Sequence, residues 1–288
     1  MGRIAYVNGA YRRHAEAAVH IEDRGFQFAD AVYEVWALVD GGLTDWDGHI
    51  ARLKRSLGEL EIAEPMSEAA LSVVLKETVR RNGVRDGLVY LQVSRGQAAR
   101  DHAFPDPAPS PTVVVTVKPI DPKVMHAKSE AGGAVISLPD QRWGRCDIKT
   151  VGLLPNAMAK TAARAQGAIE AWLVDADGCV TEGSSTNAWI VDAAGVLRTR
   201  DIGANILRGV TRATLLEIAK GLQIPVVEGP FTLEEAKAAK EAFFTAASAF
   251  VTPVTSIDGQ KIGDGRPGPV ALRLRSLYIG GARNSARV

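Results

Sequence analysis

Apolar and polar positions change their spacing along this chain often enough to mark out its elements. Residues 4–7 and 10–13 flank Asn8-Gly9, a dipeptide suited to the tight turn of a hairpin. Residues 31–39 make an apolar run of strand length, and Gly41-Gly42 turns it back into residues 43–46. The spacing then widens to that of a helix. Ile50, Leu53, Leu57 and Leu60 share one face, with Asp47 placed to cap it. Ser67 is placed to cap a second helix whose Leu71, Val74, Leu75 and Val79 point inward. Residues 88–93 and 112–117 read as buried strands, separated by a loop rich in proline around Phe104-Pro105-Asp106-Pro107.

The second half alternates more regularly. Strands are expected at 135–138, 169–174, 188–191, 196–199, 225–227 and 241–245. Helices are expected at 156–166 and 209–220, the latter ended by Gly221. Thr232-Leu233-Glu234-Glu235 fits a capping box opening a short helix. No repeat or low-complexity tract interrupts the pattern. The order predicts an α+β fold rather than a doubly wound sheet. We expect a smaller N-terminal domain over 1–120, a loop-like linker over 121–128, and a larger C-terminal domain over 129–288.

Composition narrows the classes. A chain of 288 residues, 46% hydrophobic and 23% charged, is long enough for two globular domains. Its net charge of +1 points to neither nucleic acid nor an anionic membrane as a partner. Cys146 and Cys179 are its two cysteines, too few for a disulfide framework and without metal-ligand spacing around them, so no metal is expected. No apolar run approaches the ~20 residues that span a bilayer. The start, Met1-Gly2-Arg3-Ile4-Ala5, lacks the apolar core of a signal peptide, and the cytoplasm is the expected location.

Within this frame a few residues could carry chemistry. Lys149 lies in Arg145-Cys146-Asp147-Ile148-Lys149-Thr150, with Ile148, Val151 and Leu153 as apolar company. A desolvated lysine offers a nucleophilic amine near neutral pH, although most lysines are plain surface charges. Glu182 opens Glu182-Gly183-Ser184-Ser185-Thr186-Asn187. It is either a turn carboxylate or an acceptor for a protonated pyridine nitrogen, and Ser185 and Thr186 are hydroxyls that could hold an anion. Gly209-Val210-Thr211 begins a helix, where backbone N–H groups can face an anion, though Thr211 could equally be an ordinary cap. Arg52 is a solvated charge or a phosphate ligand. Arg100 and His102 are a charged loop tip or a fork for a carboxylate. Tyr33, in mid-strand, suits a core or an interface as well as a site.

Together these segments resemble the fold type IV pyridoxal-phosphate enzymes, which include D-amino acid transaminases, branched-chain transaminases and aminodeoxychorismate lyases. The resemblance runs from Tyr6-Val7-Asn8-Gly9 to Thr252-Pro253-Val254 and is carried by Asp23-Arg24-Gly25-Phe26-Gln27-Phe28, by the Lys149 segment and by the Glu182 segment. It implies a two-domain α+β fold with the active site between the domains, a homodimer, and pyridoxal 5′-phosphate as cofactor. By resemblance, Lys149 is the Schiff-base lysine and Glu182 partners the pyridine nitrogen. Arg52, Val210 and Thr211 hold the phosphate, and Leu207 packs on the ring. Tyr33, Arg100 and His102 match the trap that D-amino acid transaminases use for the substrate carboxylate, and Leu91-Gln92-Val93-Ser94-Arg95-Gly96 is also like those enzymes. In the family dimer the Arg100 loop reaches the neighbouring subunit's site.

One segment departs from the family pattern. Ala247 stands where the family has a phosphate-contacting threonine and Phe250 where it has a glutamate, leaving Ser248 and backbone N–H groups to compensate. The implied activity is transfer of an amino group from a D-amino acid, such as D-alanine or D-glutamate, to a 2-oxo acid by a ping-pong mechanism. The alternatives on the same fold are a branched-chain L-amino acid transaminase and an aminodeoxychorismate lyase. A non-catalytic cofactor carrier is the alternative of another class.

Overall fold

A computed structural model describes residues 3–283. The chain divides into two compact units. One runs through Pro122 and adds Ile148–Gly152; the other comprises Lys123–Asp147 and Leu153–Ala282. The class is α+β, as the order of elements predicts.

In the first unit, β1 (Ile4–Val7), β2 (Ala10–Arg13), β3 (Ala31–Val39), β4 (Gly42–Leu43), β5 (Gly87–Ser94) and β6 (Thr112–Pro119) form one antiparallel sheet in the order β2-β1-β6-β5-β3-β4. Asn8 and Gly9 both take positive φ, 42° and 88°, the geometry that a two-residue hairpin turn demands. Three helices accompany the sheet: α1 (Arg24–Phe28), α2 (Trp46–Glu59) and α3 (Glu68–Asn82). Ser67 caps α3 as expected, its hydroxyl accepting from the Ala70 N–H. The start of α2 differs from expectation. Asp45, not Asp47, is the N-cap, and the strand predicted over 43–46 ends at Leu43. Trp46 is drawn into the helix by stacking on Trp36 at 5.8 Å and by donating to Glu68. Val32, Trp36 and Leu38 of β3 pack with Leu53, Leu57, Leu71 and Leu75, and Ile148 joins this core at 4% exposure.

The span expected as a loop-like linker is instead helical, α4 (Pro122–Ala131). Proline is compatible with a first helical turn, because the N–H it lacks has no partner there. The second unit holds β7 (Gly133–Pro139), α5 (Leu154–Ala165), β8 (Glu170–Val174), β9 (Val180–Gly183), β10 (Asn187–Val191), β11 (Leu197–Thr199), α6 (Val210–Gly221), β12 (Val226–Glu228), α7 (Leu233–Lys237), β13 (Glu241–Ala246), β14 (Phe250–Ile257), β15 (Gln260–Lys261) and α8 (Pro269–Arg283). Its sheet runs β12-β11-β10-β13-β14-β7-β8-β9, with β15 paired to β14. The sheet is mixed: β7 is parallel to both β14 and β8. Trp189 and Phe243 stack at 5.7 Å in its core. Among the described residues, no helix is long and apolar enough to cross a membrane.

Candidate functional site

Lys149 is placed by main-chain pairing rather than by a helix or loop of its own. The Tyr33 N–H donates to the Lys149 carbonyl at 3.0 Å, the Val151 N–H donates to the Ala31 carbonyl at 3.1 Å, and Val32 bridges Thr150. Residues 148–152 are thus laid along the start of β3. The Lys149 N–H donates to the Ser56 hydroxyl. Ile148 is buried beside it, whereas Leu153, expected to share that apolar setting, is 39% exposed. The half-buried Lys149 side chain brings Nζ to 4.0 Å from the centre of the Tyr33 ring. That ring stacks on Tyr90, whose phenol burial pushes up to about 12, with Tyr33 adding to the shift. An amine and a phenol expected to serve one substrate therefore stand side by side.

Arg52 is not a solvated charge. It lies on α2 with 8% of its surface exposed, and its Nε and Nη2 donate to the two oxygens of Glu34 on β3 at 2.7 Å each. His49, one turn earlier, meets the same carboxylate at 2.7 Å. Burial alone would raise the Glu34 carboxyl, but Arg52 and His49 overcome it and hold it at about 2. His49 moves down because burial disfavours its cation more than Glu34 favours it. Both shifts have one sign. Each group stabilises the fold above its unfolded value and loses that contribution as pH falls, His49 from about 6.5 and Glu34 from about 4.5 towards 2. For Glu34 the loss is on the order of 3 kcal/mol. Thermal unfolding followed from pH 7 to pH 3 should show a falling melting temperature, and Glu34→Gln should flatten the part below pH 4.5. An unchanged slope in that variant would remove Glu34 as the cause.

Arg100 and His102 lie exposed on the loop joining β5 to β6 and share one neighbour. The Arg100 guanidinium lies 5.0 Å from the Phe28 ring centre, and the His102 ring meets Phe28 edge-on at 5.5 Å. The structure thus gathers these two. Among the described residues, no hydrogen bond or ring contact joins either to Tyr33.

In the second unit, Glu182 lies buried in β9, one residue before its end, with its carboxylate surrounded by donors. Arg142 forms an ion pair with Oε1, Asn187 Nδ2 donates to Oε2 at 2.9 Å, and the Leu207 N–H reaches both oxygens at 3.1–3.2 Å. Arg142 is the residue that sequence reasoning missed. Its side chain is 6% exposed and also pairs with Asp140. Burial would lower the Arg142 guanidinium, but Asp140 and Glu182 push it up instead. The same surroundings push the Cys146 thiol up to about 11, burial first. An arginine against Glu182 favours the ionised carboxylate, the form that can accept from a protonated ring nitrogen.

Asn187 ties this carboxylate to the start of α6. Its Nδ2 also donates to the Leu207 carbonyl at 3.0 Å, and a Cβ on Gly209 would fall 1.9 Å from its Oδ1, so only glycine fits there. No side chain caps α6. Val210 and Thr211 of its first turn are buried, and the Thr211 Oγ1 is buried with no hydrogen-bond partner, as is Thr186 Oγ1. A buried hydroxyl without a partner costs stability unless a ligand meets it. Two such hydroxyls and an uncapped helix N-terminus have the donor chemistry that a phosphate ester needs. Ser185 is exposed and donates to Glu170 at 3.0 Å.

The departing segment is a turn between β13 and β14. Ser248 is exposed at its tip, and Phe250 is buried with φ at +57°. Arg275 donates to the carbonyls of Ala249 and Val251, and its guanidinium lies 5.9 Å from the Phe250 ring centre. An arginine from α8 therefore fixes the turn where the family has a glutamate.

Known proteins are similar to this chain over nearly all of its length. The sequence model of amino-transferase class IV matches residues 31–257. The chain is 42% identical over 269 residues to a D-alanine aminotransferase of Bacillus licheniformis, covering 93% of each. It is 36% identical over 273 residues to one of Staphylococcus aureus (strain N315), covering 95% of each. A solved branched-chain aminotransferase from Thermoproteus uzoniensis, with norvaline, superposes with a TM-score of 0.85 at 28% identity, covering 99% of this chain and 97% of that one.

Proposed function

The chain belongs to the class IV amino-transferases, and from that premise we propose that it moves the amino group of a D-amino acid, such as D-alanine or D-glutamate, to a 2-oxo acid, using pyridoxal 5′-phosphate in a homodimer. The observation that carries the reading is Lys149 Nζ at 4.0 Å from the Tyr33 ring, which sets a mobile base beside a carboxylate anchor. The D-alanine aminotransferases similar to this chain support the choice of hand. The branched-chain enzyme of Thermoproteus uzoniensis is less similar in sequence, at 28% identity against 36–42% for the D-alanine aminotransferases.

When bound, pyridoxal phosphate supplies an aldehyde carbon that takes the amino group and a cationic ring that draws electrons from the α-carbon. The second unit offers residues with the chemistry to hold it. Thr211 and the N–H groups opening α6 would suit the phosphate, and Arg52, paired with Glu34 in the first unit, is by resemblance a further phosphate ligand. Thr186 and Ser185 supply hydroxyls, Leu207 an apolar face, and Ser248 a turn hydroxyl. Glu182, backed by Arg142, would accept from the protonated pyridine nitrogen. Lys149 would serve as the mobile base that takes the proton from the substrate α-carbon, and its flexible stem would let the same amine give that proton back at a neighbouring atom. Tyr33, Arg100 and His102 fix the substrate carboxylate. With the carboxylate fixed, only one hand presents its α-hydrogen to the lysine.

A panel of paired enantiomers as amino donors to 2-oxoglutarate, with aminodeoxychorismate assayed alone, tests the reading through oxo-acid release. D-alanine should outpace both L-alanine and L-leucine. A preference for L-leucine, or pyruvate release from aminodeoxychorismate alone, would replace it. Arg100→Ala should raise the KM for D-alanine about 10- to 100-fold while leaving cofactor affinity unchanged, the loss expected for a charge-assisted bond to a carboxylate. Equal weakening of both would refute a carboxylate role for Arg100.

A further inference from the structure

The motif Asp23-Arg24-Gly25-Phe26-Gln27-Phe28 has no direct part in the chemistry above, yet it meets the Arg100 loop at both ends and in the middle. At the base, the Arg24 N–H donates to the Gly96 carbonyl at 2.9 Å, Asp23 bridges Gln97, and the Ala98 N–H donates to the Glu22 carbonyl. In the middle, Arg24 Nη1 donates at 2.7 Å to the carbonyl of Asp101, the residue between Arg100 and His102. Phe28, at the end of α1, carries both of those side chains on its ring. The short helix packs closely on the end of β5, where a Cβ on Gly25 would lie 2.8 Å from Ser94 Cβ.

Behind this contact is a buried ionic junction. Asp30 Oδ2 accepts from Arg24 Nε and from Arg95 Nε, at 2.7 Å each. All three side chains are at most 7% exposed. Arg95 also donates to the Leu60 and Glu61 carbonyls, and its guanidinium lies 3.6 Å from the centre of the Phe104 ring, beyond His102. Asp30 thus orients two arginines, one gripping the loop at Asp101 and the other at Phe104. Arg24 holds Asp30 from Nε and the Asp101 carbonyl from Nη1, two donors set apart in a rigid plane; the three donors of a lysine all lie on one nitrogen and do not reproduce that spacing.

We infer that Arg24 and Phe28 are positioning residues for the substrate carboxylate: through the Asp30–Arg95 junction they fix the spacing of Arg100 and His102 and so set the affinity for the amino acid. The inference rests on the proposed role of Arg100 and His102. It says that the motif acts on substrate binding rather than on the chemical step.

The test compares Arg24→Lys and Phe28→Leu with Arg100→Ala in the holoenzyme, by steady-state kinetics with D-alanine and by amide hydrogen exchange in a peptide spanning residues 97–104. Both positioning variants should exchange faster in that peptide and raise the KM for D-alanine about tenfold, with kcat within about twofold of wild type and pyridoxal phosphate affinity unchanged. A merely structural role would instead lower the melting temperature and kcat with no selective change in KM. Wild-type exchange in both variants overturns the inference whatever the kinetics show. Faster exchange with wild-type KM, while Arg100→Ala still raises KM, also overturns it and leaves the carboxylate reading standing. A wild-type KM in Arg100→Ala sinks the carboxylate reading, and the positioning inference falls with it.

Discussion

Lys149→Ala is expected to slow the D-alanine half-reaction at least about 10⁴-fold, the upper range for losing a positioned general base. The fold should survive the change. The bonds that seat this segment are main-chain bonds: the Lys149 carbonyl accepts from Tyr33 and its N–H donates to Ser56, whatever side chain it bears. What is lost locally is the approach of Nζ to the Tyr33 ring, worth only about 0.5–1 kcal/mol at a partly exposed site. Lys149→Arg separates charge from proton transfer. Arginine keeps the cation but cannot give up its proton at working pH, so it should be as inactive as alanine. Stopped-flow measurement of pyruvate release from D-alanine reads both variants. Substantial activity in the arginine variant would mean that a fixed positive charge, not a mobile base, is what position 149 supplies.

How the sequence reports this site depends on how local each feature is. The α6 N-terminus, the Ser67 cap and the Asn8-Gly9 turn are decided by adjacent residues, and their patterns read directly. Lys149 is legible as a motif, but its place in the first unit is not. Five residues leave the second unit's chain to pair with β3, and nothing in Ile148–Gly152 announces that partner. Arg142 is illegible for the same reason. It stands in a loop, and its partners Glu182 and Asn205 are 40 and 63 positions away. Arg52 reads as solvated because Glu34 is one charge in a strand, and only the register of β3 against α2 joins them. The strand β14 is hidden by Pro253, which has no N–H for a ladder. In the structure it sits beside the slip in register between β14 and β7 at Val254 and Ser256. The helix α4 begins at Pro122, within the span that the pattern reading takes as a loop-like linker, and that reading names no element over α8.

Glu182→Gln tests the other half of the chemistry, and the network around it makes the test clean. Replacing the carboxylate by an amide of the same shape should lower kcat/KM for D-alanine about 10²- to 10³-fold, the cost of removing one preorganised charge from a reaction centre. Stability should fall less than for Arg142→Met. In Glu182→Gln, Arg142 keeps Asp140 as its counter-charge, at 2.7 Å. In Arg142→Met, Glu182 and Asp140 both lose their cation while partly or wholly buried, a change that costs about 3–5 kcal/mol when a buried pair is broken. The pH profile then identifies the role. On the proposed role, Glu182 would keep the pyridine nitrogen protonated in the wild type. In the glutamine variant, solvent must supply that proton, so the remaining rate should rise as pH falls over a range where the wild-type rate is flat or declining. If the variant instead keeps the wild-type profile and merely binds the cofactor more weakly, Glu182 is an anchor for the ring and not the source of its charge.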